Sequence, residues 1–548
     1  MTRSQPGETR TGDLAHGSGV LRDVGTHLDL SKSIGSSLET DCSMTSSRTV
    51  ACAGDVADEL ACMEVDDRRQ ANSSAESMGL QDFPTNVLVN IFAKSCPSPY
   101  DRRLLFALSL VCKKFAGVLR QPSELWNVML LSLPRLQEGP RLASFVAWAL
   151  PRAAGVKELT VRFTNHHQAM KFQVLVGLFG VSLRTLGLSP GCHGAVPLQQ
   201  PTINLIGYCT GLERLELTSD GVMTRNLSPL SLLQNLQMLQ ITSFNDPVRY
   251  PIPPAVLTVT SLRELSLRTL GLDLIQDGVS ALQELEVLEI VGARGLRIQD
   301  GLGQLRSLRE LEFNACEMSQ DVVAGQPVQS WCPPLSGLVS LTSLSFLSPR
   351  NLGLVIPPPI SELGALRRLK LLRVASKQFV PLLLPPGFAN LGATLTEFVL
   401  ECADWPAIPQ AVFALTQLRL LAIRASGLRK LTAEVAVFGA LRRLDLSRNR
   451  ELDVKDDIPW ASMTSLRSLD LSECRHLRVT TGLTGLAELP ALKTVSLHGC
   501  TAATQAADTA LNKLLKALKI ARPQRVKVII LRKDVDYTLH DVDDMDVP

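Results

Sequence analysis

The sequence predicts an α/β repeat fold, and three observations carry the prediction. A hexad of the form Leu-x-x-Leu-x-Leu recurs from about residue 156 to residue 497, most plainly as Leu441/Leu444/Leu446 and Leu466/Leu469/Leu471. Its first positions fall at 156, 183, 212, 236, 262, 285, 308, 341, 366, 395, 418, 441, 466 and 492, about fourteen copies with most steps between 23 and 29 residues. Positions 4 and 6 alternate with polar residues, the period of a half-buried strand.

Each part of the repeat has a physical role. The hexad forms the strand, and the remainder must return the chain to the start of the next one. That remainder often carries a second apolar group ahead of the hexad, as at Leu257, Leu282, Leu305, Leu338, Leu363, Leu415 and Leu489. A single repeat cannot bury its own leucines, so stacked neighbours must share one continuous core. Period and hexad together resemble the leucine-rich repeat, which implies a horseshoe-like solenoid. Such repeats often place Asn or Cys at position 9 to bond backbone groups in the turn leaving the strand. Cys316, Asn449, Cys474 and Cys500 stand there, while other copies differ, Asp220 and Ser426 among them.

Ahead of the repeats the pattern changes twice. Residues 1–78 are rich in Ser, Thr, Gly, Asp and Arg with few large apolar groups, and are expected to be a disordered tail. Residues 79–127 read as a helical module. Pro84 suits a first helical turn, Asp82 or Thr85 can cap it, and Val87, Leu88, Ile91 and Phe92 share one face. A second helical run is expected from about Asp101 to Phe115. Residues 128–155 are expected to be a helical linker and N-terminal cap. There Phe145, Trp148 and Leu150 cover the open edge of the first repeat.

The module resembles an F-box. The carrying residues are Phe83-Pro84, Val87-Leu88, Ile91-Phe92, Leu108-Ser-Leu-Val111-Cys112-Lys113-Lys-Phe115 and Pro122-Ser-Glu-Leu125-Trp126, with Phe83 where the family usually has Leu. The resemblance implies docking onto the Skp-family adaptor of a cullin–RING ubiquitin ligase. By similarity Pro84, Leu88, Ile91, Phe92, Val111, Cys112 and Lys113 would lie at that interface. The chain would then be a non-catalytic substrate receptor, an SCF subunit whose repeat face holds the target protein.

On the expected concave face, positions 3 and 5 of each hexad point outward, and positions 7 and 8 extend it. Glu264, Glu289, Glu310 and Glu312 gather in three adjacent strands. Arg368 and Lys370, with Arg373 nearby, form a basic zone, and Asp445 with Asp470 a further acidic pair. A face of this kind suits a partner of complementary charge. The connection 319–335, containing Trp331, reads as a longer loop. Residues 501–533 are expected to cap the array as a helix and a strand near Val526–Leu531, and 534–548 to form an acidic tail.

Bulk properties narrow the classes. Net charge is +3 with 20% charged residues, so bulk charge proposes neither nucleic acid nor membrane as partner. Twelve cysteines lie scattered without CxxC pairs, as expected of reduced thiols in a cytoplasmic or nuclear protein. No phosphate-cradling glycine loop, zinc helix or paired-cysteine motif appears, so neither cofactor nor enzymatic activity is expected. Two other readings stay open: a leucine-rich scaffold with a helical cap and no ubiquitin role, and a small-molecule co-receptor using Arg368, Lys370 and Arg373.

Overall fold

The computed structural model describes residues 84–94, 113–120, 124–132, 139–163, 169–190, 197–244, 248–318, 335–347, 358–372, 382–454, 458–477, 481–500 and 527–529. The expected tails, Val111, Cys112, Trp331, Arg373 and the helix expected after residue 501 lie outside them.

The main helices are α1 (Thr85–Lys94), α2 (Lys113–Arg120), α3 (Gly139–Ala149), α4 (Ala169–Phe179) and α5 (Gln200–Ile206). The strands are β1 (Val128–Ser132), β2 (Glu158–Phe163), β3 (Thr185–Pro190), β4 (Arg214–Thr218), β5 (Met238–Ser243), β6 (Tyr250–Pro251), β7 (Glu264–Thr269) and β8 (Leu272–Ile275). Then come β9 (Val287–Val291), β10 (Arg294–Ile298), β11 (Glu310–Asn314), β12 (Glu317–Met318), β13 (Ser343–Leu347), β14 (Arg368–Leu372) and β15 (Glu397–Glu401). The last are β16 (Leu420–Arg424), β17 (Lys430–Leu431), β18 (Arg443–Asp445), β19 (Asp453–Val454), β20 (Ser468–Asp470), β21 (Thr494–Ser496) and β22 (Lys527–Ile529).

Among the described residues sixteen of these strands form one parallel sheet, in the order β1-β2-β3-β4-β5-β7-β9-β11-β13-β14-β15-β16-β18-β20-β21-β22. Each of the fourteen hexads lies on one rung, and its third residue opens the strand. Register is preserved from rung to rung: Leu311 faces Leu344, which faces Leu369, which faces Phe398. Positions 1, 4 and 6 are buried throughout, and of the pre-hexad leucines only Leu257 is partly exposed. Short 3-10 helices, such as Asp277–Ala281 and Asp300–Gln304, carry most returns. Four further strands, β12-β10-β8-β6, make a small parallel sheet beside them.

The turn leaving each strand explains position 9. Position 8 adopts a left-handed conformation in rung after rung: Gly292 (φ 82°), Ala315 (52°), Cys402 (62°), Ala425 (47°), Arg448 (63°), Glu473 (60°) and Gly499 (69°). That conformation aims the backbone amide at the next rung, as in Arg448 N to Ser472 O (2.7 Å) and Glu473 N to His498 O (2.6 Å). The following side chain then turns inward and donates to the position-6 carbonyl of the preceding rung. Cys316 reaches Ile290 O (3.3 Å), Asn449 Ile423 O (2.7 Å), Cys474 Leu446 O (3.3 Å) and Cys500 Leu471 O (3.0 Å). Burial pushes the thiols of Cys316 and Cys474 up to about 12 and that of Cys500 to about 11, so they stay protonated donors at neutral pH. Asn449 does more than the thiols. Its Oδ1 accepts from Ser426 N (2.9 Å) and Leu428 N (3.1 Å), and its Nδ2 also reaches Leu446 O (2.8 Å).

The linker departs from expectation. Residues 128–132 form β1, paired in parallel with β2 along Val128–Ser132, so the sheet begins one rung ahead of the first hexad. A four-residue apolar run is ambiguous between helix and strand, and the exposed edge of β2 decides it. The helical part of the linker is present as α3. Arg152 locks this junction and is only 5% exposed. Its Nε donates to Leu119 O (2.7 Å), its Nη1 donates to Trp148 O, and its guanidinium lies 5.1 Å from the Trp126 ring and 4.6 Å from the Trp148 ring. Trp126 Nε1 shares the Leu119 carbonyl (3.1 Å), and the two indoles meet edge to face at 5.2 Å. Carbonyls and aromatic faces thus hold the buried cation.

Two outcomes follow for stability. Arg152→Ala leaves Leu119 O with Trp126 Nε1 as its side-chain donor, takes the guanidinium donor from Trp148 O and removes both ring contacts, so it should cost about 2–4 kcal/mol in a urea melt followed by tryptophan fluorescence. Asn449→Ala strands two buried amides and should cost about 2–4 kcal/mol by the same measurement. Asn449→Cys, the residue used in three other rungs, should cost clearly less because it keeps the bond to Ile423 O.

Candidate functional site

The sheet face built from positions 3, 5 and 7 carries most of the charged residues singled out in the sequence. Strand register aligns them in rows. One row runs Ser266, Glu289, Glu312, Ser345, Lys370, Val399 on β7, β9, β11, β13, β14 and β15. The row beside it runs Glu264, Val287, Glu310, Ser343, Arg368, Glu397 on the same strands.

The acidic and basic zones join rather than stand apart. Arg368 Nη2 reaches Glu310 Oε1 at 2.7 Å, across β13 and in line with the small, buried Ser343. Glu289 is held from the other side. It accepts from Ser266 Oγ (2.5 Å) and from Arg268 Nη2 on both oxygens (3.0 and 3.2 Å). These pairs are exposed enough that each contributes at most about 1 kcal/mol, so they orient side chains more than they stabilise the sheet.

Glu312 and Lys370 are left with different surroundings. They flank the buried Ser345 in one row, two rungs apart or roughly 10 Å at ordinary strand spacing. Neither makes an ion pair among the described residues. Partial burial raises the Glu312 carboxyl above its ordinary range, Glu289 raises it further, and Lys370 and Arg268 pull it back. The row therefore presents a desolvated carboxylate and an uncommitted ammonium on either side of a serine. Val399 and Ala422 continue it as an apolar step. A partner offering a cation and an anion at matching separation would find both charges available.

The second acidic pair is placed differently. Asp445 is 6% exposed. Its Oδ1 accepts from Ser447 N (3.1 Å) and Ser447 Oγ (2.7 Å), and its Oδ2 from Arg424 Nε (2.7 Å). Asp470 Oδ1 accepts from Ser472 N (2.9 Å) and Ser472 Oγ (2.6 Å). Both aspartates clamp the turn after their strand. Glu264 is exposed at the other end of the face, without an ion pair among the described residues.

In the helical module, Pro84 precedes α1 and is exposed, Ile91 is half-buried, and Lys113 opens α2. Leu88 and Phe92 are buried inside the chain's own core, where Phe92 meets Phe115 edge to face at 5.1 Å. The exposed and half-buried positions, rather than the fully buried ones, are the ones a partner can reach. Reading only positions 3 and 5 misses Arg268, which stands at position 7 and sets the orientation of Glu289.

Among the described residues no group of three or more His, Cys, Asp or Glu side chains could hold a metal ion, and no helix is long and apolar enough to cross a membrane.

No family model matches the chain, and no curated protein matches it. Solved structures do. A leucine-rich-repeat protein of Leptospira interrogans is 17% identical with a TM-score of 0.48, over 69% of this chain and 90% of that one. An internalin, InlF, from Listeria monocytogenes is 18% identical with a TM-score of 0.42, over 61% and 83%. TLR13, in a complex with ssRNA13, is 17% identical with a TM-score of 0.48, over 71% and 54%. The architecture is a leucine-rich-repeat stack. The strand register and the fourteen hexads of the chain itself define that architecture.

The charge reading of the face is open to titration. A carboxyl whose pKa is raised by folding binds more protons folded than unfolded, so ionising it weakens the fold as pH rises. Glu312→Gln should therefore be at least as stable as the parent at neutral pH. Its advantage should vanish as pH falls through the carboxylate range, which melts at stepped pH would measure.

Proposed function

We propose that this chain is a protein-binding receptor, and specifically the substrate-recognition subunit of an SCF-type ubiquitin ligase acting in the cytoplasm or nucleus. The observation that carries the reading is the ordered F-box-like pattern from Phe83 to Trp126, followed directly by leucine-rich repeats. α1, α2 and the turn at Glu124–Trp126 are compatible with it, and the Arg152 junction ties them firmly to the first rungs. In this reading the helical module docks onto a Skp-family adaptor, and through it cullin and RING subunits, by Pro84, Ile91 and the neighbouring module surface. The charged row from Glu289 to Lys370 holds the target. Other subunits perform ubiquitin transfer, and this chain contributes proximity, which raises the effective concentration of target lysines at the reacting centre.

One observation favours a second reading. Leu88 and Phe92 are consumed by the chain's own core, as they would be in a helical cap of a scaffold without ubiquitin chemistry. The two readings separate on one assay. The full chain, titrated with a purified Skp-family adaptor in a calorimeter, should form a one-to-one complex. Pro84→Asp with Ile91→Asp should weaken it at least tenfold, about 1.4 kcal/mol or more, while circular dichroism stays unchanged. No complex with the folded parent would leave the scaffold. Within the ligase reading, Lys370→Glu should impair target capture and leave adaptor binding intact.

A further inference from the structure

A second charged surface lies along the strand-start edge of the sheet, away from the open face. Position 2 of each hexad sits on this edge, and the backbone links successive position-2 residues directly. Thr396 N donates to Arg367 O (2.8 Å), Arg419 N to Thr396 O (2.7 Å), Arg442 N to Arg419 O (2.8 Å), Arg467 N to Arg442 O (2.7 Å) and Lys493 N to Arg467 O (2.7 Å). Six consecutive rungs thus carry five cations in a line, broken only by Thr396. All five side chains are exposed, and none makes an ion pair among the described residues. The line is roughly 24 Å long at ordinary strand spacing.

The same edge in the earlier rungs is built differently. There two glutamates stand among the cations and pair with them: Arg184 with Glu213 (3.1 Å), Arg263 with Glu286 (3.6 Å) and Arg309 with Glu286 (3.4 Å). Arg263, Glu286, Arg306 and Arg309 line a depression of about 350 Å³. In the later rungs the two residues ahead of each first-position leucine are Gly364-Ala365, Ala393-Thr394, Thr416-Gln417, Gly439-Ala440, Thr464-Ser465 and Pro490-Ala491, with no carboxylate among them. Glu362 and Glu488, further back, form no ion pair with the line. A row of like charges at rung spacing is self-repelling unless something anionic lies along it.

We propose that this cationic line is a docking track for an extended acidic segment, and that its resident occupant is the chain's own residues 534–548. That segment holds Asp534, Asp536, Asp541, Asp543, Asp544 and Asp546 and no Lys or Arg. It follows closely on β22, which pairs with β21 immediately beside the rung of Lys493. Residues 530–548 span up to about 60 Å when extended, ample to turn back along the line. Arginine forks suit carboxylates, and small neighbours such as Gly439, Ala440 and Ser465 leave the approach open. No aromatic residue occupies those flanking positions, so the track lacks the stacking platform a single-stranded nucleic acid would use. In this arrangement an external acidic partner binds only by displacing the segment.

The test uses a fluorescein-labelled peptide of sequence 534–548, the full chain, a chain ending at Lys533, and a full chain with all six of these aspartates changed to Asn. The peptide should bind the shortened and Asn-substituted chains, weaken steeply with added salt, and bind the intact chain at least tenfold more weakly. Arg442→Gln with Arg467→Gln in the shortened chain should reduce binding at least tenfold without changing circular dichroism. Equal binding to all three chains, or none to the shortened chain, overturns the proposal. So does binding that the Arg442/Arg467 pair leaves unchanged. A duplex oligonucleotide binding the shortened chain where the peptide does not would overturn it in favour of a nucleic-acid track.

Discussion

Every rung depends on burying leucines that it cannot bury alone. Position 1, 4 and 6 side chains of one hexad are flanked by the same positions of the rungs on either side, as Leu344 lies between Leu311 and Leu369, and the apolar groups of the returns close the same core. Each fully buried leucine contributes about 1.5–3 kcal/mol relative to an exposed one, and a rung supplies three. Much else in the chain serves this stacking. The left-handed position 8 turns the chain away from the strand, and in four rungs the position-9 side chain donates to the position-6 carbonyl of the rung before it. Arg152 and its two tryptophans join the leading helices to the first rungs.

Parallel stacking also dictates the electrostatics. It brings the same repeat position of neighbouring rungs to strand spacing, so charge choices at one position are read by the next. On the open face the outcome is mixed. Glu310 and Arg368 find each other over a serine, Glu289 is clamped by Arg268, and Glu312 and Lys370 remain available on one row. Along the strand-start edge the earlier rungs place glutamates among the cations and the later ones do not. One geometry therefore yields a structural pair, a recognition surface or an unneutralised line, depending only on which residues occupy the repeat.

The stack was legible in the sequence because its signal is periodic and local. All fourteen hexads fall on strands, down to the degenerate Val156/Leu159/Val161, and the strand expected near residue 526 is present as Lys527–Ile529. What escaped has a common physical cause. β1 has no hexad and is a strand because a sheet edge is beside it. Arg152 matters through Leu119, 33 residues away, and Arg368 through Glu310, 58 residues away. The Asp445 and Asp470 pair looked like surface charge because Asp-Leu-Ser does not announce that the serine will hold the carboxylate. In the helical module, the pattern located α1 but did not distinguish the residues spent on the chain's own core, Leu88 and Phe92, from those left at its surface.

The claim that burial is shared only between adjacent rungs is tested most directly by hydrogen–deuterium exchange on Leu344→Ala. The substitution removes roughly 2–5 kcal/mol from one interior rung. A stack coupled through its nearest neighbours predicts faster exchange in β11, β13 and β14, fading within a few rungs, and unchanged exchange in β3 and β21. Faster exchange by the same factor in every strand would contradict it and point to one globally cooperative unit.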